Sequence, residues 1–309
     1  MAENYIFRLR QILAKGSFTQ EQLAQRLGVT FAALNRWLHG HAKPQPRRMA
    51  AIEALYKEIV GYPSVTPEKV QRAIRQADGL RTKGLWNTIA RQESLQDELL
   101  LEHTYNSTSI EGTTFTKRQT EGVIFSKAMI PDKTLIEHLE ITNHATALKA
   151  LFQRKYQGLV NEEFIKELHK DLMQGIHPDA GHYSQHMRAI RGVNIALTHP
   201  KDISEEMRNL IKSWRAAPRR KTIKEIANFH ADFELIHPFG DGNGRVGRLL
   251  MVVQCLQGNY PPVVIENARK TEYYDVLEYA QKKSEGPFIC FLVEEMERTR
   301  QLIRKYEDK

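Results

Sequence analysis

Twelve residues, HPFGDGNGRVGR from His237 to Arg248, constrain this chain more than any other stretch. They combine one imidazole, one carboxylate, four glycines and two guanidiniums. Ahead of them, Ile226, Phe229, Phe233 and Ile236 recur at helical spacing, and Pro238 stops that helix. Behind them, Val246, Leu249, Leu250, Val253 and Leu256 follow the same spacing, so residues 240–244 form a tight connection into a second helix. Glycines accept positive φ and carry no side chain, so successive N–H groups can converge on an anion at that helix N-terminus. Arg245 and Arg248 add paired donors for phosphate oxygens, and Asp241 among these cations makes sense if Mg²⁺ sits between it and the phosphates. His237 titrates near neutrality and can take the proton of a hydroxyl that attacks phosphorus. A helix connection capped by Asp241 would need only one of these residues.

The stretch matches, at each defined position, the signature His-x-Phe-x-Asp/Glu-Gly-Asn-Gly-Arg-x-x-Arg, and so resembles the Fic (Fido) domains. The resemblance implies an all-α chain: a Fic-type helical domain with a small β-hairpin flap, preceded here by a helix-turn-helix domain of four or five helices. It implies binding of ATP with Mg²⁺ and transfer of AMP to a Ser, Thr or Tyr hydroxyl of a protein, which can include the chain itself. By position, His237 resembles the general base, Asp241 the Mg²⁺ ligand, Gly242, Asn243 and Gly244 the anion cradle, and Arg248 the arginine on the γ-phosphate. Arg245 would support the phosphates or the loop, and Val246 and Gly247 complete the ATP-binding segment. Relatives carry aromatic residues near adenine at the positions of Tyr273 and Tyr274, for which core packing is an equal reading, and Gln281 two turns later also faces the nucleotide.

Two further stretches fit the resemblance. STSIEG, Ser107 to Gly112, fits the family's inhibitory pattern, in which the glutamate, here Glu111, pairs with the second arginine, here Arg248, and blocks the γ-phosphate. A carboxylate beside a helix C-terminus also gains from a nearby cation. Residues 180–200 show alternation at Val193, Ile195 and Leu197, a hairpin signal in a helical chain. In Fic proteins a flap here aligns the target by strand addition, which assigns Ile190, Arg191, Gly192 and Val193 to it, although Ser184 and Arg188 depart from the usual residues.

The formal charge of the 309 residues is +8, and much of it is local. Residues 1–60 hold nine basic and four acidic groups, 9 − 4 = +5, which marks a separate basic module. Helices are expected over 6–15, from a Thr19–Gln22 capping box to Gly28, from Thr30 onward, and over 47–60. TQEQLAQRLGVTFAALNRWLHG resembles the helix-turn-helix of the Cro/cI repressor family at Gln20, Leu23, Ala24, Leu27, Gly28, Val29, Leu34 and Trp37. That implies DNA as a partner, with Gln20 on phosphate and Asn35 and Arg36 toward the bases. Phe31, Ala32 and Ala33 occupy positions where polar side chains usually meet bases, so a protein-docking or dimerising module is the alternative.

Pro63 and Pro67 mark a linker, giving residues 1–62 as the helix-turn-helix domain, 63–115 as linker and helical segment with the inhibitory motif, and 116–309 as the Fic domain. Helices are expected over 67–83, over 93–111 with a polar break at 106–109, two within 116–156, and over 162–174. No run of about 18 apolar residues and no signal peptide appear, which points to the cytoplasm with no membrane partner. Cys255 and Cys290 read as buried thiols. Two rivals to AMP transfer stand: removal of AMP by the same site, and a DNA-binding regulator whose nucleotide site only senses ATP. Fic proteins often form homodimers, which makes a second copy an expected partner.

Overall fold

The computed structural model describes residues 4–16, 18–60, 65–153, 160–188, 197–218 and 221–307. Its regular elements are all helical, with no strand among the described residues. The chain divides into two compact units, Met1–Ser64 and Val65–Lys309.

The first unit holds α1 (Asn4–Gly16), α2 (Gln20–Arg26), α3 (Phe31–Leu38) and α4 (Pro46–Ile59). Both bonds of the capping box form at the start of α2: Gln22 N–H donates to Thr19 Oγ1 at 3.1 Å, and Thr19 N–H to Gln22 Oε1 at 2.9 Å. Gly28 leaves α2 with φ +64, and Thr30 then caps α3 by accepting from Ala33 N–H. Leu9, Ile12, Leu23, Leu34, Trp37 and Ile52 close the core between these helices.

The second unit contains α5 (Pro67–Gly79), α6 (Leu85–Arg91), α7 (Glu93–Glu111), α8 (Lys117–Ser126), α9 (Leu135–Phe152) and α10 (Glu162–Met173). They are followed by α11 (Ile203–Ala216), α12 (Ile223–Ile236), α13 (Asn243–Gln257), α14 (Lys270–Gln281) and α15 (Gly286–Glu307). The middle of this unit is α13, which meets α6, α7, α9, α10 and α12. Every residue from Arg245 to Leu256 is buried, so α13 is covered all round where the sequence suggested a single apolar stripe.

Three expectations need correction. Helix α5 stops at Gly79 instead of Lys83, because Arg81 turns away to donate to the carbonyls of Gly258 at 2.6 Å and Lys221 at 2.7 Å. The sequence reading missed α6, whose Trp86 Nε1 donates to Leu151 O at 3.0 Å and satisfies a carbonyl at the end of α9. The polar break in α7 does not occur, since the polar side chains that would make it find partners at Thr104, Asn106, Ser107 and Thr108. Thr104 Oγ1 meets His144 Nδ1 at 3.0 Å, Asn106 Oδ1 accepts from Asn267 N–H at 2.9 Å, and Thr108 Oγ1 donates to Thr104 O at 2.8 Å.

Cys255 is buried as expected, whereas Cys290 is only half-buried. The flap residues Ile190, Arg191, Gly192 and Val193 lie outside the described residues. Among the described residues no helix is long and apolar enough to cross a membrane.

Leu148 is fully buried on α9, a helix that packs against α7 and α10. Leu148→Ala should destabilise the second unit by about 3 kcal/mol through lost burial and a residual cavity, read as a lower midpoint in urea unfolding.

Candidate active site

The loop between α12 and α13 is set by its own side chains. His237 ends α12 in the left-handed conformation, with φ 50 and its N–H donating to Phe233 O at 2.9 Å. Asn243 then clasps the turn from both sides: its Oδ1 accepts from Phe239 N–H and its Nδ2 donates to Phe239 O, each at 2.9 Å. Phe239 is fully buried and stacks on His169 of α10, ring centroids 3.7 Å apart. His169 Nδ1 accepts from Gly181 N–H at 2.9 Å, which leaves Nε2 to donate to Asp241 O at 3.0 Å. Burial brings its pKa down to about 4, so the ring is neutral and the tautomer fixed. Gly242 opens α13 at φ 78, and a Cβ there would lie 2.7 Å from Met173 Sδ.

The two arginines divide their work. Arg245, 2% exposed, donates to Glu140 Oε1 at 2.7 Å and lies 3.6 Å from Asp241 Oδ2, so it braces the loop. Arg248, equally buried, donates through Nε to Ser107 Oγ at 2.9 Å and through Nη2 to Ser107 O at 3.0 Å and Glu111 Oε1 at 2.5 Å. Its Nη1 is buried without a hydrogen bond. Burial works against ionisation of Glu111, but Arg248, with Arg245 and Lys270 behind it, holds its pKa below the usual carboxylate value. Lys270 Nζ also donates to Ile110 O at the end of α7, and Gly112 closes that helix at φ 120. Gly244 faces this pair: a Cβ there would lie 2.3 Å from Glu111 Oε1 and 2.9 Å from Arg248 Nη1.

A cavity of about 90 Å³ brings together His237, Gly244, Arg248, Glu111, Tyr273, Tyr274 and Gln281, along with Glu234, Leu277 and Glu278. His237 points Nδ1 at Glu234 O, 3.3 Å away, which leaves Nε2 as the nitrogen able to accept a proton. Burial, with a smaller contribution from the nearby charge of Arg188, lowers its pKa to about 4 against the opposing Glu234 carbonyl, so the imidazole is neutral at pH 7. Tyr273 is 1% exposed and its hydroxyl meets His230 Nε2 at 2.7 Å, a core position, whereas Tyr274 is half-buried. Asp241 keeps a side chain 58% exposed, with Oδ1 accepting from Gly242 N–H.

Residues 159–255, which span α10 to α13, match the Fic/DOC family. This part of the chain is a Fic domain. Residues 9–58 match a helix-turn-helix family. The chain is 30% identical to a protein adenylyltransferase Fic from Nematostella vectensis, over 65% of this chain and 48% of that protein. It is likewise 30% identical to one from Aedes aegypti, over 66% of this chain and 42% of that protein. It thus spans less than half the length of these relatives. The fold is also that of Fic-1 from C. elegans, with a TM-score of 0.65 at 21% identity over 93% of this chain and 86% of that one. A Fic domain containing signaling protein from Bacteroides thetaiotaomicron gives 0.62 at 20% identity over 77% and 98%.

In the helix-turn-helix unit, Asn35 is half-buried and its Nδ2 donates to Gln20 Oε1 at 3.5 Å, while Arg36 is exposed and Phe31 is 47% exposed. Around the Fic motif, the sequence reading missed Glu140, His169, Glu234 and Lys270. His169 and Glu234 were detectable as polar residues on otherwise apolar helix faces, beside Leu168 and Phe233. Asn243→Ala would orphan both main-chain groups of the buried Phe239. It should cost about 2–4 kcal/mol and raise hydrogen exchange across residues 237–243, checked by unfolding and exchange mass spectrometry.

Proposed function

We propose that the chain is a protein adenylyltransferase whose activity is restrained by Glu111. One observation carries this reading: a neutral imidazole with a free Nε2 and a buried, anion-seeking guanidinium line the same cavity across a glycine turn. With ATP as substrate, His237 Nε2 takes the proton of a Ser, Thr or Tyr hydroxyl. The hydroxyl oxygen bonds to the α-phosphorus as the bond to pyrophosphate breaks. The N–H groups at the start of α13 and the Arg248 side chain face the charge that develops on the phosphates.

Asp241 suits Mg²⁺, being an exposed carboxylate beside this turn, and among the described residues no group of three or more His, Cys, Asp or Glu offers an alternative cage. The ion would offset negative charge on the leaving pyrophosphate. Ile190 to Val193 are assigned to the flap that holds the target, and Tyr274 and Gln281 to the adenine side of the cavity.

The seat of Glu111 supports restraint. Its Oε1 takes Arg248 Nη2, the donor expected to hold the γ-phosphate, and the cavity of about 90 Å³ is far smaller than the roughly 300–1,000 Å³ of sites that enclose a ligand of nucleotide size. Purified protein should label weakly with α-labelled ATP. Glu111→Gly should raise labelling on the order of tenfold, the factor that about 1.4 kcal/mol of displaced competition sets, and His237→Ala should abolish it. Equal labelling in all three defeats the reading. Because the His237 pKa lies near 4, transfer should be lost as pH falls through that value.

We also propose that the first unit contacts DNA, on the strength of its surplus of basic residues and the exposure of Arg36 on α3. Arg36→Glu should weaken salt-dependent DNA binding by about tenfold in a fluorescence anisotropy titration. Binding unchanged by this reversal would favour the docking alternative.

A further inference from the structure

Glu234 lines the cavity but has no part in the mechanism above. It lies on α12 one turn before His237, is 6% exposed, and places Oε2 at 3.8 Å from His237 Nδ1. Its Oε1 is buried without a hydrogen bond. Gly247 keeps the space for it: a Cβ there would lie 2.5 Å from that oxygen and 3.0 Å from His230 Cε1. A buried acid with an unused oxygen is costly, and packing α12 on α13 needs only an apolar side chain at that position.

We propose that Glu234 is a positioning residue for the base, its carboxyl standing behind the imidazole to accept Nδ1–H when His237 becomes charged. This rests on His237 being the proton acceptor of AMP transfer. In the resting site Nδ1–H reaches only the main-chain oxygen of Glu234, at a long 3.3 Å. When Nε2 takes the hydroxyl proton, the ring becomes a buried cation near Arg188, with Glu111 and Asp241 as more distant counter-charges, and a carboxylate directly behind Nδ1 adds to that offset. The O–H bond breaks and Nε2–H forms, while the Nδ1 proton stays on its nitrogen.

The ionisation of Glu234 sets when this help is present. The groups around it are His230 on α12 and His237 just past its end, Arg248 on α13, Tyr273, Tyr274 and Glu278 on α14, and Glu111 on α7. Burial pushes its pKa up to about 8, with Arg248 pulling down and Glu111 pushing up. The carboxyl is therefore mostly neutral at pH 7 and charged above pH 8, so basicity at His237 climbs as pH rises through that range.

The test uses the full chain carrying Glu111→Gly, with α-labelled ATP. Transfer should rise several-fold from pH 6 to 9, since loss of Glu111 removes one of the pushes that hold the Glu234 pKa near 8. Adding Glu234→Gln should leave it flat across that range at the lower level, with KM for ATP unchanged. A double variant that keeps the rise, or whose loss lies in KM, overturns the proposal. Absence of transfer by the single variant at any pH would instead sink the underlying AMP-transfer reading. The proposal then stands or falls on NMR of the histidine-labelled unsubstituted chain, which needs no activity and keeps the surroundings of Glu234 intact. His237 ring signals should inflect near pH 8, far above the ring's own titration, and signals that stay flat there overturn it.

Discussion

A guanidinium buried to the extent of Arg248 has to be matched by an anion or by carbonyl oxygens. Leaving such a charge unpaired costs roughly 3–5 kcal/mol, more than the surrounding packing can absorb without rearrangement. Ser107 supplies a hydroxyl and a carbonyl, and Glu111 supplies the negative charge. Both come from the last turns of α7, so the cation on α13 explains why a helix rich in polar residues runs unbroken through the interior. Thr104, Asn106 and Thr108 are buried there because they face partners, and the helix delivers Glu111 at its end with Lys270 holding the Ile110 carbonyl.

The loop that carries His237 is organised in advance of any ligand. Asn243 closes the turn on Phe239, His169 stacks beneath it and holds Asp241 O, and the ion pair of Arg245 with Glu140 anchors its far side to α9. None of these contacts involves the cavity wall formed by α14. The positive φ of His237 throws the ring back over the end of α12, which buries it and keeps it neutral. Local backbone geometry and proton affinity are thus one feature seen at two scales.

Much of this was legible in the residues. The glycine-spaced motif, the helices on either side of it, the Thr19–Gln22 capping box and Gly112 as the stop of α7 all follow from short-range rules, and the structure places them as read. Glu111 was found through a pattern adjacent in sequence, although its partner lies 137 positions away. What escaped depends on distance. The partnership of Glu140 with Arg245 spans 105 positions and that of His169 with Asp241 spans 72, and neither leaves a local mark beyond one polar side chain on an apolar face. The supposed break in α7 failed for the same reason: buried polar residues look like a break until their tertiary partners are known. Short α6 offered too few periodic positions to stand out, since it buries only Leu85, Trp86 and Ile89 and is tied to the end of α9 by Trp86 Nε1 on the carbonyls of Leu151 and Phe152.

Gly244 imposes a limit of its own. The hydrogen atom in place of a side chain at this point of the turn lets a carboxylate come close, and under the proposed chemistry it would admit a phosphate to the same spot. Any larger residue would evict both tenants together. Selection therefore has no handle here for trading restraint against turnover, and divergence in how tightly such a site is locked has to be written in Glu111 itself and in the turn of α7 that carries it.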